Sequence, residues 1–124
     1  MRFMMLVIPK GYEKAAAGFA PPAELVARMT KYNDSLTKAG VLLGLDGLRP
    51  PATGARVRFA GGKPKVTDGP FTEAKEVVGG YAVLEFESRE EAIEAAVAFM
   101  RLHNEHWPSW EGECEVRPIT FLAP

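Results

Sequence analysis

Between Asp68 and Tyr81 the chain reads Asp-Gly-Pro-Phe-Thr-Glu-Ala-Lys-Glu-Val-Val-Gly-Gly-Tyr, which gathers five ionisable side chains and four glycine or proline residues between two apolar runs. Asp-Gly-Pro is a turn signal: an Asp side chain can cap its own turn, Gly tolerates positive φ, and Pro fixes φ and withholds a donor. A carboxylate at a loop mouth beside a buried aromatic can have its pKa raised toward that of a working general base. Asp68 is therefore the candidate catalytic residue, with turn capping as its structural alternative. In an extended segment Glu73 and Lys75 share a side, as a solvated ion pair would, while Glu76 faces away.

Two histidines, His103 and His106, are the side chains that titrate nearest neutrality, with Glu105 between them and Trp107 and Trp110 following. Helical spacing would let both imidazoles meet one metal, but zinc asks for three or four ligands and no third stands at a clear spacing. No metal site is expected. The stretch reads as a helix end whose indoles pack on the core or a partner, or wall a pocket. Tyr32 and Asn33 on the first helix, with Phe71, Tyr81 and Arg117, form a candidate ligand-binding set. An apolar pocket with a few polar anchors is the usual make-up of a small-molecule site, and no cofactor motif accompanies it. Gly61-Gly62-Lys63 lacks the strand-to-helix context of a phosphate loop and reads as a turn.

Composition narrows the classes further. Charged residues make up 25% of the 124 residues, the formal net charge is −1, and the two signs are interspersed. No basic stripe points to nucleic acid and no acidic tail to a basic partner. Cys114 is the single cysteine, so it forms no internal disulfide, and Glu113 and Glu115 beside it would raise its pKa. An ordinary strand thiol in a reducing cytoplasm is the expectation. The opening Met-Arg-Phe-Met-Met-Leu-Val-Ile-Pro is too short for a signal peptide or a membrane span and reads as a first strand.

The elements that must position these residues follow from periodicity. The length suits one domain over residues 1–124. Phe3 to Ile8 is a continuous apolar run ended by Pro9, which fits a central strand covered on both faces. After a loop from Lys10 to Ala20, Pro21 and Pro22 start a helix whose apolar positions are Leu25, Val26, Met29, Tyr32, Leu36 and Ala39, with Gly40 as its stop. Val41 to Leu45 is a second strand. Ala55 to Ala60, Gly61-Gly62 and Lys63 to Val66 form a polar hairpin in which Pro64 is tolerated at an edge. Tyr81 to Phe86 is a further strand, and Ser88-Arg89-Glu90-Glu91 is a capping box that opens a second helix running toward His103. Glu115 to Phe121 is the last strand, interrupted by Pro118. The order β-α-β, hairpin, β-α-β is a ferredoxin-like α+β arrangement, an antiparallel sheet with two helices on one face. Its other face would be open and apolar, and a second copy of the sheet would cover it, so a homodimer is expected.

The Asp68 to Tyr81 stretch resembles the signature of the YCII-related family, specifically its DGPF branch, whose name is the tetrapeptide at Asp68 to Phe71. The likeness continues through Met1 to Val7, Gly40 to Leu43, Gly79 to Tyr81 and Glu115 to Ile119, which are similar to the family's successive strands. The resemblance implies the fold of the dimeric α+β barrels and favours Asp68 as a site residue. In the simpler members a histidine on the first helix and an acidic residue look like the catalytic pair. Here that helix reads Met29-Thr30-Lys31-Tyr32-Asn33-Asp34-Ser35, without histidine. A relative in the wider family acts on a chlorinated hydroxyquinone, which implies cofactor-free lyase or isomerase chemistry in a pocket near Asp68. Members of the DGPF branch are associated with extracytoplasmic-function sigma factors, which implies the alternative of a non-catalytic regulatory or interaction module. An enzyme calls for a closed pocket reaching Asp68 with a raised carboxylate pKa, whereas a partner module calls for a filled core and an exposed tryptophan patch, for which Trp107 to Trp110 is the candidate.

Overall fold

The apolar run after Met1 becomes a central strand of a four-stranded antiparallel sheet in the computed structural model, which describes residues 1–71 and 76–120. β1 (Arg2–Pro9) is followed by α1 (Ala23–Lys38), β2 (Leu42–Gly47), the hairpin strands β3 (Ala55–Ala60) and β4 (Lys63–Asp68), β5 (Gly80–Glu85), α2 (Arg89–His106) and β6 (Gly112–Pro118). The strand order of the main sheet is β2-β5-β1-β6, and β3 with β4 forms a separate two-stranded sheet. This is the ferredoxin-like α+β fold expected from the pattern, with the hairpin inserted midway. The last strand begins at Gly112 and ends at Pro118, earlier at both ends than its apolar run suggests. Phe121, Glu73 and Lys75 lie outside the described residues.

Strand alternation sorts the sheet into two faces. Phe3, Met5 and Val7 share a face with Ala82, Leu84, Cys114 and Val116, and this is the face on which the helices pack. A bulge between Leu42 and Gly44 keeps both Leu42 and Leu45 on that side, opposite Leu84 and Ala82. The core joins Met5, Leu42 and Leu84 of the strands to Ala96 of α2, with Leu36 of α1 against them. Met4, Leu6, Ile8, Tyr81 and Val83 stand on the opposite face, among Glu113, Glu115 and Arg117.

Local chemistry explains the element boundaries. The Ser88 hydroxyl accepts from the Glu91 backbone N–H at 3.2 Å, one half of the expected capping box. The reciprocal bond is displaced by one residue, because the Glu91 carboxylate accepts from the N–H of Glu87 at 3.1 Å, not from that of Ser88. Gly61 and Gly62 both have positive φ, 59° and 76°, which a two-residue type I′ hairpin loop demands. Gly69 differs from the expectation: it is not among the positive-φ glycines. It supplies the absence of a side chain, since a Cβ there would overlap the Pro51 carbonyl oxygen. The Gly69 N–H donates to the Gly54 carbonyl at 2.9 Å, which ties the Asp-Gly-Pro turn to the short 3₁₀ turn at Pro51–Thr53. Among the described residues no helix is long and apolar enough to cross a membrane.

Candidate functional site

Helical spacing turns Met29, Tyr32 and Leu36 of α1, and Ala95, Phe99 and His103 of α2, toward the same side of the sheet. The two rows do not close on each other completely. They leave a cavity of about 750 Å³ whose wall includes Met5 and Val7 of β1, Leu42 and Leu45 of β2, and Ala82 of β5. Phe19, from the loop before α1, and Trp107 and Trp110, from the loop after α2, complete the aromatic side.

The rings form a connected series. Phe19 stacks on Trp107 with centroids 5.8 Å apart and meets Tyr12 edge-on at 5.9 Å. His103 lies between Phe99, at 4.8 Å, and Trp110, at 4.4 Å. Offset and edge-on contacts of this kind hold aromatic walls rigid at little entropic cost.

The polar groups in the wall are few; its tyrosine hydroxyls are engaged, while the amide of Asn33 makes no hydrogen bond with the described residues. The Tyr12 hydroxyl donates to the Leu48 carbonyl at 2.5 Å, and the Tyr32 hydroxyl to the Ala95 carbonyl at 3.3 Å. Burial pushes both phenols above their ordinary pKa, so they remain neutral donors. His103 is 6% exposed, and its Nδ1 stands 3.1 Å from the Phe99 carbonyl oxygen. A carbonyl only accepts, so Nδ1 carries the hydrogen and Nε2 presents a lone pair in the neutral ring. Burial holds the His103 pKa below its ordinary value, and the bond to Phe99 offsets part of that effect.

The expected site residues fall in three places. Tyr32 lines the cavity, with its hydroxyl bonded at the α2 backbone. Tyr81 belongs to the wall beside Gly80 and Ala82, but alternation sends its side chain to the other face, where its hydroxyl donates to Asp46 Oδ2 at 2.8 Å. That bond, with the carboxylate charge behind it, raises the Tyr81 pKa. Arg117 is exposed on the same outer face, its Nε 3.9 Å from Glu115 Oε1.

Asp68 and Phe71 sit apart from all of these. Asp68 is the exposed last residue of β4, and the cavity wall does not include it. The physical reason is the hairpin, whose strands among the described residues pair with each other and not with the main sheet, so that its last residue is carried away from that sheet. Phe71 is half-buried beneath the Arg56 guanidinium, 4.3 Å from ring centroid to cation, which pins the turn onto β3.

Sequence reasoning passed over Tyr12, Phe19 and Phe99 as site residues, and it read His103 as a helix end. The available signal was the spacing of Phe99 and His103, four apart on one helix face. Glu13 is a second surprise, a buried carboxylate beside Tyr12 whose Oε2 has no hydrogen-bond partner among the described residues. His106 Nε2 stands 3.9 Å from Glu105 Oε2. Among the described residues no three His, Cys, Asp or Glu side chains gather as a metal-binding group.

An uncharacterised protein of Rhizobium meliloti (strain 1021) is 34% identical over 101 residues, 82% of this chain and 74% of the relative. The model of the YCII-related domain family matches residues 1–119, nearly the whole chain, and the protein belongs to that family.

Proposed function

We propose that the protein binds a small, largely apolar molecule, without a cofactor, in the cavity between its helices and its sheet. The observation that carries this reading is the cavity itself. Its volume of about 750 Å³ falls within the range of small-molecule sites, and its wall is dominated by aliphatic and aromatic side chains. A largely apolar ligand seated there takes its own surface and that of the aliphatic and aromatic wall out of water, which is worth about 25 cal/mol per Å². Lyase or isomerase chemistry at Asp68 would need that carboxylate to reach the ligand. Its place on the exposed hairpin supports binding over catalysis by that residue. An interaction module linked to a sigma factor calls instead for exposed indoles. Trp107 and Trp110 are half-buried and turned into the cavity wall, which favours the pocket.

The homodimer belongs to the same proposal. Met4, Leu6, Ile8 and Val83 form an apolar strip on the sheet face that carries no helix, and a second sheet is the cover that fits it.

The test is a titration with flat apolar probes of one or two rings, followed through the indole N–H signals of Trp107 and Trp110. Both signals should shift saturably, and the cavity-filling substitution Met29→Trp should abolish the shift while leaving the fold cooperative. Indole signals that do not respond to such probes at millimolar concentration would overturn the reading.

A further inference from the structure

We propose that His103 is the polar anchor of the cavity: its Nε2 accepts a hydrogen bond from an N–H or O–H group on a flat, uncharged, largely apolar ligand. The assignment rests on the cavity's being a binding site and says what that site selects.

Of the wall's polar side chains with free capacity, His103 is the most buried; the half-buried amide of Asn33 and the indole N–H groups of Trp107 and Trp110 also make no hydrogen bond with the described residues. The hydroxyls of Tyr12 and Tyr32 donate to the backbone carbonyls of Leu48 and Ala95. The carboxylate of Asp46 accepts from Tyr81 on the outer side of the sheet. His103 spends one nitrogen on Phe99 of its own helix, one turn back, and this bond fixes both the ring's orientation and its tautomer. Nε2 is on the opposite edge of the ring, away from the helix backbone, and makes no hydrogen bond with the described residues. Nε2 keeps contact with the cavity's solvent, since Glu13 Oε2 is the one fully enclosed side-chain atom without a partner among the described residues, and a ligand donor at Nε2 takes the place of water. The flanking rings define the shape of what fits. Phe99 and Trp110 pack on the imidazole at 4.8 and 4.4 Å, and the stacked pair of Phe19 and Trp107 lines the same cavity. A planar ring slides against such walls, and its donor edge reaches Nε2. Charge argues for a neutral ligand. The charged side chains in the wall are Asp46, engaged with Tyr81, and the exposed Arg49, and an ion held among the remaining apolar groups would be desolvated without compensation.

Indole and benzofuran test the assignment, because they share ring and shape and differ in the N–H that benzofuran lacks. Calorimetric titration of the wild-type protein should show indole binding about fivefold more tightly, the worth of one neutral hydrogen bond. The His103→Phe protein should bind both probes with the affinity of benzofuran, and His103→Gln, whose amide oxygen can accept, should restore part of the preference. In wild-type protein the ¹⁵N resonance of His103 Nε2 should move with indole and stay with benzofuran. This measurement decides the matter even if His103→Phe fails to fold. Equal affinities for the two probes, or a preference that survives in His103→Phe, overturn the role of His103 and leave the binding reading standing. Failure of both probes to bind overturns the binding reading and this assignment with it.

Discussion

His103 is an imidazole that the fold keeps neutral, and that preference has a sign. In the folded chain its pKa lies below 6.5, because burial penalises the cation. The unfolded chain therefore takes up a proton first as the pH falls, and the stability tied to neutral His103 is present above about pH 6.5 and lost below it. Urea unfolding at about pH 7.5 and about pH 5 should show a larger loss of stability for wild type than for His103→Phe, the difference isolating this residue from other titrating groups. A wild-type loss equal to that of the variant would mean that the ring gains solvent in the folded state. Cys114 behaves by the same logic with the opposite charge. Burial pushes its thiol above the ordinary value, so the thiolate that reacts with alkylating agents is scarce. Alkylation by iodoacetamide should be at least tenfold slower than for free glutathione near neutral pH, and should reach the free rate in denaturant.

At the scale of elements, two turns carry the argument in different ways. Ser88 starts α2 by accepting from Glu91, and Ser88→Ala should cost about 1 kcal/mol in urea unfolding with an unchanged slope. Gly62 and Gly69 separate backbone conformation from space. Gly62→Ala strains a left-handed position at a solvent-exposed turn and should cost about 1 kcal/mol. Gly69→Ala must push the Asp-Gly-Pro turn off the Pro51–Thr53 turn, an overpacking cost of about 1–3 kcal/mol, and it should loosen Phe71 from Arg56 as well. If Gly69→Ala proves harmless while Gly62→Ala does not, the two turns are not packed together. Of these features, the capping box and the Gly61-Gly62 loop were legible because each is a local rule written in adjacent residues. The role of Gly69 was not, because the atom it makes room for belongs to Pro51, a residue brought to it only by folding.

At the scale of the molecule, the sheet has one face under helices and one without them. The proposed dimer covers the second. Light scattering at micromolar concentration should give twice the 13.5 kDa chain mass, and Leu6→Lys, which places a charge in the middle of the apolar strip, should give the single mass with the fold intact. A wild-type monomer at that concentration would remove the dimer. The hairpin extends beyond this sheet and exposes Val57, Phe59 and Val66, each at least 65% accessible, on a unit of two strands among the described residues. Its turn fixes Asp68 at the outer end, so the motif most readable in the chain is not part of the cavity wall.

The sequence by itself determined the element order, the helix and strand types, the turn residues and hence the ferredoxin-like fold. Those depend on periodicity, capping and glycine placement within a few residues of one another, and such local preferences survive whatever the rest of the chain does. Only the tertiary structure decided which candidate side chains share a site. Tyr32 and His103, about 70 residues apart in the chain, line one cavity because α1 and α2 pack on one sheet face. Tyr81 and Arg117 point away from them because a strand reverses its side chains at every step, so a register set by distant partners decides which face each residue serves.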